Sequence, residues 1–388
     1  MGCTNFSTMD RKRKTKVIAI FVNSSWQAYN FRLSLAKNLS LNYKVIFFGP
    51  YDKRYVPLIE EKFTYVPLRL DPKGVNILKE IRLIKDLILE IKKNKISLLL
   101  NFTIKPNIYG SISAKFMNIP VINNITGLGT TFIKENILTK VAIFLYKFIF
   151  RLSQHNFFQN DEDLNLFIER QIINKNYSVL PGSGVDVNYF KRQTIYGKHG
   201  PSGAFKFAMI SRFIKDKGVL EYVNASKEIV KFNPDIKVIF EFIGEMDVQN
   251  KTKIPTSELK KIKETGVINF LPKTDNIKRY LEEVDCVVLP SYREGSPRSI
   301  MEASSMEIPV IVSNVPGCRS VVDNNKSGFF CEIKSSKDLS KKMFEMLNLS
   351  IDQRAKMGAL GREKMAQFFS EEIVINEYLN KIKELIRS

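Results

Sequence analysis

Residues 289–317, LPSYREGSPRSIMEASSMEIPVIVSNVPG, leave the chain few folds to choose from. An apolar run over 284–289, interrupted only by Asp285, reads as a buried parallel strand. Pro290-Ser291-Tyr292-Arg293 ends it. Glu294-Gly295-Ser296-Pro297 then reads as a helix entry, with Ser296 as N-cap and Pro297 at the first helical position. A helix predicted over 298–306 stops before Pro309, and a second apolar strand covers 310–312. Strand, glycine turn, helix and strand make one βαβ unit. Such units take their ligands outside the carboxyl ends of the strands, where residues 294–297 lie.

Two acids flank that turn. Glu302 lies eight residues after Glu294, about 12 Å along a helix axis, and eight helical steps rotate about 80° beyond two full turns. Both carboxylates therefore share one broad side. Between them, the amides of 295–298 at the positive end of the helix dipole offer an anion site. Carboxylate, anion cradle and carboxylate correspond in order and length to the sugar, diphosphate and ribose of a nucleotide-sugar. A surface helix with two solvated glutamates has the same spacing, so the pair needs its context.

The segment resembles the E-x7-E signature of retaining glycosyltransferases of family 4. That resemblance implies an α/β chain of the GT-B class, two facing Rossmann-like domains with parallel sheets. It also implies that Glu294 holds the donor sugar and Glu302 the ribose.

The 388 residues suffice for two ordinary domains, and a 44% hydrophobic fraction supplies their cores. Cys3, Cys286, Cys318 and Cys331 show no metal spacing, and reduced cytosolic thiols account for them most simply. With only His155 and His199, a zinc site or a Ser-His-Asp triad is not expected. The net charge of +20 calls for an anionic partner: nucleic acid, a membrane surface or an anionic substrate, unless it reflects only a lysine-rich proteome. No nucleic-acid-binding motif accompanies it, and the lysines are scattered apart from the run Arg11-Lys12-Arg13-Lys14. The next apolar run is too short for a signal peptide or a membrane span. Met1-Gly2-Cys3 with Ser7 fits a myristoylation pattern only loosely. The expected location is the cytoplasm, peripheral on the inner face of the cytoplasmic membrane.

From the start, strands are predicted over 17–22, 45–48, 97–102 and 120–125, and helices over 28–39 and within 72–95. TIKPN-x-YG followed by ITGLG resembles a family 4 branch that builds bacterial surface polysaccharides on a lipid carrier, including N-acetylgalactosaminyl and hexosaminyl transferases. The resemblance puts Lys105, Thr126, Gly127 and Gly129 on the acceptor side. Residues 137–152 read as a core helix, with interfacial membrane contact as the alternative given their basic flanks. Asp161-Glu162-Asp163 has the form of a DxD metal motif, but it follows a strand and opens a helix, so N-capping explains it better. GSGVD, residues 182–186, resembles the family's interdomain segment, and Asp186 can cap the residues after it. Residues 191–203 read as a linker.

The second half restarts with a strand over 205–210, the turn Ser211–Gly218 and a helix over 219–232. Arg and Lys astride such a turn hold a diphosphate without a metal. The resemblance gives that role to Arg212 and Lys217. Gly244, after a strand over 238–243, joins the donor side with Gly295, Ser296, Pro297, Arg298 and Glu302. A terminal helix within 370–388 is expected to cross back to the first domain.

These readings converge on an acceptor domain over 1–190 and a nucleotide-sugar domain over 191–369. The expected reaction moves a sugar, N-acetylhexosamine or hexose, from a UDP-sugar to a polyprenyl-diphosphate-linked saccharide, with retention and with no metal or other cofactor. A GT-B nucleotide-sugar epimerase and a basic nucleic-acid-binding protein are the alternatives.

Overall fold

The computed structural model describes residues 15–71, 76–127, 137–193, 203–246 and 252–387. The basic run at 11–14, the myristoylation pattern, Gly129 and most of the linker (194–202) lie outside the described residues.

Seven short apolar runs form the first sheet: β1 Val17–Phe21, β2 Lys44–Gly49, β3 Thr64–Pro67, β4 Ile96–Phe102, β5 Val121–Ile125, β6 His155–Phe158 and β7 Tyr177–Val179. Their order is β3-β2-β1-β4-β5-β6-β7. The second sheet contains β8 Phe205–Ile210, β9 Val238–Ile243, β10 Ile268–Leu271, β11 Cys286–Leu289, β12 Val310–Ser313 and β13 Gly328–Cys331, in the order β10-β9-β8-β11-β12-β13. The pairs of β8 with β9 and β11, of β9 with β10, and of β12 with β11 and β13 are all parallel. So are those of β1 with β2 and β4, of β2 with β3, and of β6 with β7. Two parallel α/β sheets are what the sequence predicts.

Parallel strands buried on both faces need helices on each. Phe205, Phe207 and Met209 of β8 point one way, into a core with Val219, Tyr222 and Ile229. Ala208, with Val287 and Leu289 of β11, points the other way, against Ile300 and Met301. In the first sheet, Ala19, Phe21, Ile46 and Leu99 pack against Leu83, Leu87 and Ile91 of the helix Ile77–Lys93.

The chain divides into two compact units, residues 1–123 with 149–155 and 381–388, and residues 124–148 with 156–380. The junction expected at 190/191 lies inside the second unit, between β7 and β8. The terminal helix Glu371–Arg387 gives residues 371–380 to the second unit and the rest to the first. Among the described residues no helix is long and apolar enough to cross a membrane.

Several elements differ from expectation. The first helix begins at Ser25 rather than 28, so Ser25 and Trp26 belong to its first turn. A helix spans Ile104–Phe116 despite Pro106, because proline is tolerated in a first turn, whose amides lack intrahelical acceptors. The acids of 161–163 do not cap their helix. Asn160 does, accepting from the Asp163 amide at 2.8 Å, and the acids fill the first turn, where the helix dipole favours them. Asp186 caps only a local turn, accepting from the amides of Asn188 and Tyr189.

Candidate active site

In the second sheet the strand order reverses between β8 and β11, and a ligand crevice is expected outside the carboxyl ends of that pair. The loop after β8 ends in a single 3-10 turn, Lys215–Lys217, closed by Gly218 in the left-handed region (φ 74°). Its Asp216 carbonyl accepts from the Tyr292 amide at 2.8 Å and from Ser291 Oγ at 3.1 Å. The loops after β8 and β11 are thereby pinned together. In consequence the Lys217 ammonium reaches the Glu294 carboxylate in an ion pair, 77 residues apart in sequence. Arg212 lies on the same loop, but its side chain is exposed and has no ion pair among the described residues.

The helix Arg298–Ser305 starts one residue later than a Ser296 cap requires. Pro297 is the N-cap, with an extended backbone (φ −77°, ψ 103°), and its carbonyl accepts from both Ile300 and Met301 at 3.1 Å. Ser296 Oγ turns instead to the Met301 sulfur at 3.6 Å. Proline has no N–H, so the amides available to an anion here are those of Gly295, Ser296 and the first helical turn. One turn on, Arg298 Nε donates to Glu302 Oε1 at 2.8 Å, and Arg298 also donates to Ser183 Oγ at 3.3 Å. Burial raises the pKa of Glu302, and the Arg298 guanidinium opposes that shift. Both predicted carboxylates thus rest in cationic hands, Glu294 with Lys217 and Glu302 with Arg298.

Backbone fills the floor of the turn. A Cβ on Gly295 would lie 2.6 Å from the Thr126 carbonyl and 3.1 Å from Gly127 Cα. One on Gly317 would collide with the Gly295 carbonyl and lie 2.7 Å from that of Glu294. Thr126 and Gly127, predicted on the acceptor side, therefore touch the turn beside Glu294. Gly244 presses on the Ser211 carbonyl, holding the loops after β9 and β8 together. Lys105 belongs to the first unit and is occupied there, its ammonium 2.6 Å from Glu80 Oε1 and 2.7 Å from the Asp71 carbonyl.

Three contributors escape sequence reasoning, and a fourth, Gly317, lies in the Pro316-Gly317-Cys318 loop that the sequence places over the cleft. Asn160 Nδ2 donates to the Gly295 carbonyl at 2.9 Å. Arg293 pairs with Asp163, which is buried, its pKa raised by that burial against the pull of Arg293. Arg319 makes a two-pronged pair with Glu162, at 2.9 and 2.5 Å. Gly317 forms the close contact just described. Asn160 ahead of an acidic first turn is a readable cap signal; Arg293 and Asp163, and Arg319 and Glu162, lie 130 and 157 residues apart and leave no local pattern. Cys318, next to Gly317, is buried, and that burial lifts its thiol pKa far above the usual range, with Glu294 adding to the shift, which disfavours a thiolate. Among the described residues no three His, Cys, Asp or Glu side chains form a metal-ligand set.

Residues 191–364 match the family model described as glycosyl transferases group 1. This segment is a group 1 glycosyltransferase domain. It carries Arg212, Lys217, Glu294 and Glu302. Over 302 residues the chain is 25% identical to the N,N'-diacetylbacillosaminyl-diphospho-undecaprenol alpha-1,3-N-acetylgalactosaminyltransferase of Campylobacter jejuni, covering 73% of this chain and 76% of the relative. Over 271 residues it is 26% identical to the UDP-Gal:alpha-D-GlcNAc-diphosphoundecaprenol alpha-1,3-galactosyltransferase of Escherichia coli, covering 67% and 69%. Anabaena HepE, solved with UDP-glucose, superimposes with a TM-score of 0.77 at 16% identity, over 95% of this chain and 100% of HepE. The group 1 domain thus belongs to a chain of GT-B fold. Neither the epimerase nor the nucleic-acid alternative finds support in these likenesses.

Proposed function

We propose that this protein moves a sugar, an N-acetylhexosamine or hexose, from a UDP-sugar to a polyprenyl-diphosphate-linked saccharide, with retention and without a metal. The inner face of the cytoplasmic membrane, where such an acceptor is embedded, is the proposed location. The observation that carries this reading is the Lys217–Glu294 pair at the strand-order reversal, with the Arg298–Glu302 pair on the helix that follows the same turn. A carboxylate held by a cation at each end, with first-turn amides between, matches a sugar, a diphosphate and a ribose. The two relatives support the acceptor class, since both are named for glycosyl transfers involving diphospho-undecaprenol-linked sugars.

In the proposed reaction the bond from C1 to the β-phosphate oxygen breaks and its electrons pass to the diphosphate. Lys217, Arg212 and the amides of Gly295 and Ser296 meet that growing negative charge, and fixed donors of this kind cost no reorganisation during the reaction. The acceptor hydroxyl bonds to C1 on the face the diphosphate leaves, and its proton goes to the departing phosphate. Glu294 holds the hydroxyls of the transferred sugar, and Glu302 those of the ribose.

Purified protein offered UDP-, GDP- and CMP-sugars with a synthetic polyprenyl-diphosphate-linked saccharide tests the reading. Mass spectrometry should detect a product one sugar larger from a UDP-sugar, and NMR should show the anomeric configuration of the donor. An inverted product, or transfer only from a GDP- or CMP-sugar, would overturn the corresponding part.

A further inference from the structure

The helix Ile77–Lys93 carries two apolar faces where a surface helix needs one. Leu83, Leu87 and Ile91 are buried against the first sheet. Away from that core, Ile77 is 74% exposed, Leu78 78%, Ile81 58% and Leu89 54%. Single exposed aliphatic residues are ordinary, but four on one outward face form a patch. Exposed Lys85 and Lys92 are interspersed with them at helical spacing. Two acids of this helix are held by partners, Glu80 by Lys105, and Glu90 by the Asn94 side-chain amide at 2.9 Å and by Lys93 at 3.5 Å, while the half-buried Asp86 falls outside the arc that Ile77, Leu78, Ile81 and Leu89 span.

We infer that this outward face docks on an anionic lipid bilayer. The partner is set by the chemistry of the face. Aliphatic side chains flanked by long cationic ones suit the boundary of a bilayer, where the apolar parts enter the acyl region and the ammonium groups reach the headgroups. A soluble acidic partner would match the lysines and leave the isoleucines and leucines wet. The helix Ile137–Leu152 repeats the pattern independently: Phe144 is 70% exposed, Val141 50% and Phe148 42%, its cations are Lys140, Lys147 and Arg151, and it contains no acid. The inference rests on the lipid-linked acceptor proposed above and adds the surface by which the enzyme meets the membrane that holds it.

Co-sedimentation with vesicles of phosphatidylglycerol and phosphatidylethanolamine, against phosphatidylcholine alone, provides the test. Wild-type protein should bind the anionic vesicles, and raised salt should weaken that binding by screening. A cation near an anionic surface is worth about fivefold in partition, so K85E/K92E should lose at least tenfold. I81E/L89E should lose a similar amount while keeping its melting temperature and its affinity for UDP. Transfer to a water-soluble, short-chain acceptor should survive in every variant, and transfer to acceptor embedded in vesicles should fall. Equal binding by wild type and both variants would overturn the assignment, as would wild type that ignores anionic vesicles. So would a wild-type dimer that I81E/L89E makes monomeric, because the face would then cover a second copy. Vesicle binding of the expected pattern with no transfer to either acceptor would sink the proposed reaction and leave this surface standing.

Discussion

Asn160 donates Nδ2–H to the Gly295 carbonyl at 2.9 Å, and its side-chain oxygen caps the helix Asp161–Glu169. One buried amide therefore starts the helix that follows β6 and fixes the turn that carries Glu294. Asn160→Asp keeps an acceptor for the cap but turns a carboxylate oxygen toward a carbonyl and toward Asp163. It should lower kcat/KM about tenfold or more and cost about 1–3 kcal/mol of stability, the range for a disrupted buried hydrogen bond. Asn160→Ala should lose the cap as well, about 1 kcal/mol more. Denaturant unfolding beside steady-state kinetics checks both; full activity in Asn160→Asp would free the turn from this bond.

Arg212 and Lys217, proposed above to meet the departing diphosphate, should behave alike in rate and differently in stability. Removal of either from a developing charge costs about 3 kcal/mol of barrier, about a hundredfold in rate. Lys217→Ala also strands the half-buried Glu294 carboxylate, so its melting temperature should drop. Arg212 is exposed, and Arg212→Ala should melt like wild type. Wild-type turnover in either variant would remove that residue from the proposed site.

The two acids should separate kinetically. Positive charge develops on the transferred sugar, so Glu294→Gln should lower kcat much more than it weakens donor binding. The ribose does not react, so Glu302→Gln should chiefly raise KM and weaken binding of free UDP. Calorimetry with UDP decides it. Poor binding by Glu294→Gln with normal binding by Glu302→Gln would mean the donor lies the other way round.

With fixed cations meeting the leaving group, activity should persist in excess EDTA. Loss that Mn²⁺ restores would call for a metal-dependent mechanism.

His155 gives stability a pH dependence. Burial, reinforced by the Lys381 ammonium and opposed by Glu384, lowers its imidazole to about 4. The unfolded chain takes up that proton near pH 6.5, before the folded chain does, so stability should fall as pH drops from about 6.5 towards 4. Between pH 7.5 and 5 the loss assigned to His155 is about 2 kcal/mol. Urea unfolding at both values, for wild type and His155→Gln, should show a steeper decline in wild type.

What the sequence disclosed was local. The apolar runs that became β8 and β9, and the periodic helix Val219–Phe232, match their predicted limits. The acids Glu294 and Glu302 stood out by spacing, because a strand, a turn and a helix in succession constrain where their side chains lie. The cations that hold them were less legible as partners. Lys217 is 77 residues from Glu294, and only the bonds from Tyr292 and Ser291 to the Asp216 carbonyl bring it there. The short strand Thr64–Pro67 is too brief for its alternation to stand above background. Ser296 looked like a cap on composition alone; the extended backbone of Pro297 took the position.

The packing of Gly127, Gly295 and Gly317 against one another bears on how this enzyme could be re-engineered. Main chain touches main chain there, so no rotamer change elsewhere opens room for a methyl group. In a saturation library across the site, those positions should return almost no active clones, whereas solvent-facing Arg212 should return weakened ones. Efforts to broaden the donor range would do better to vary the side chains around this fixed hub than the hub itself.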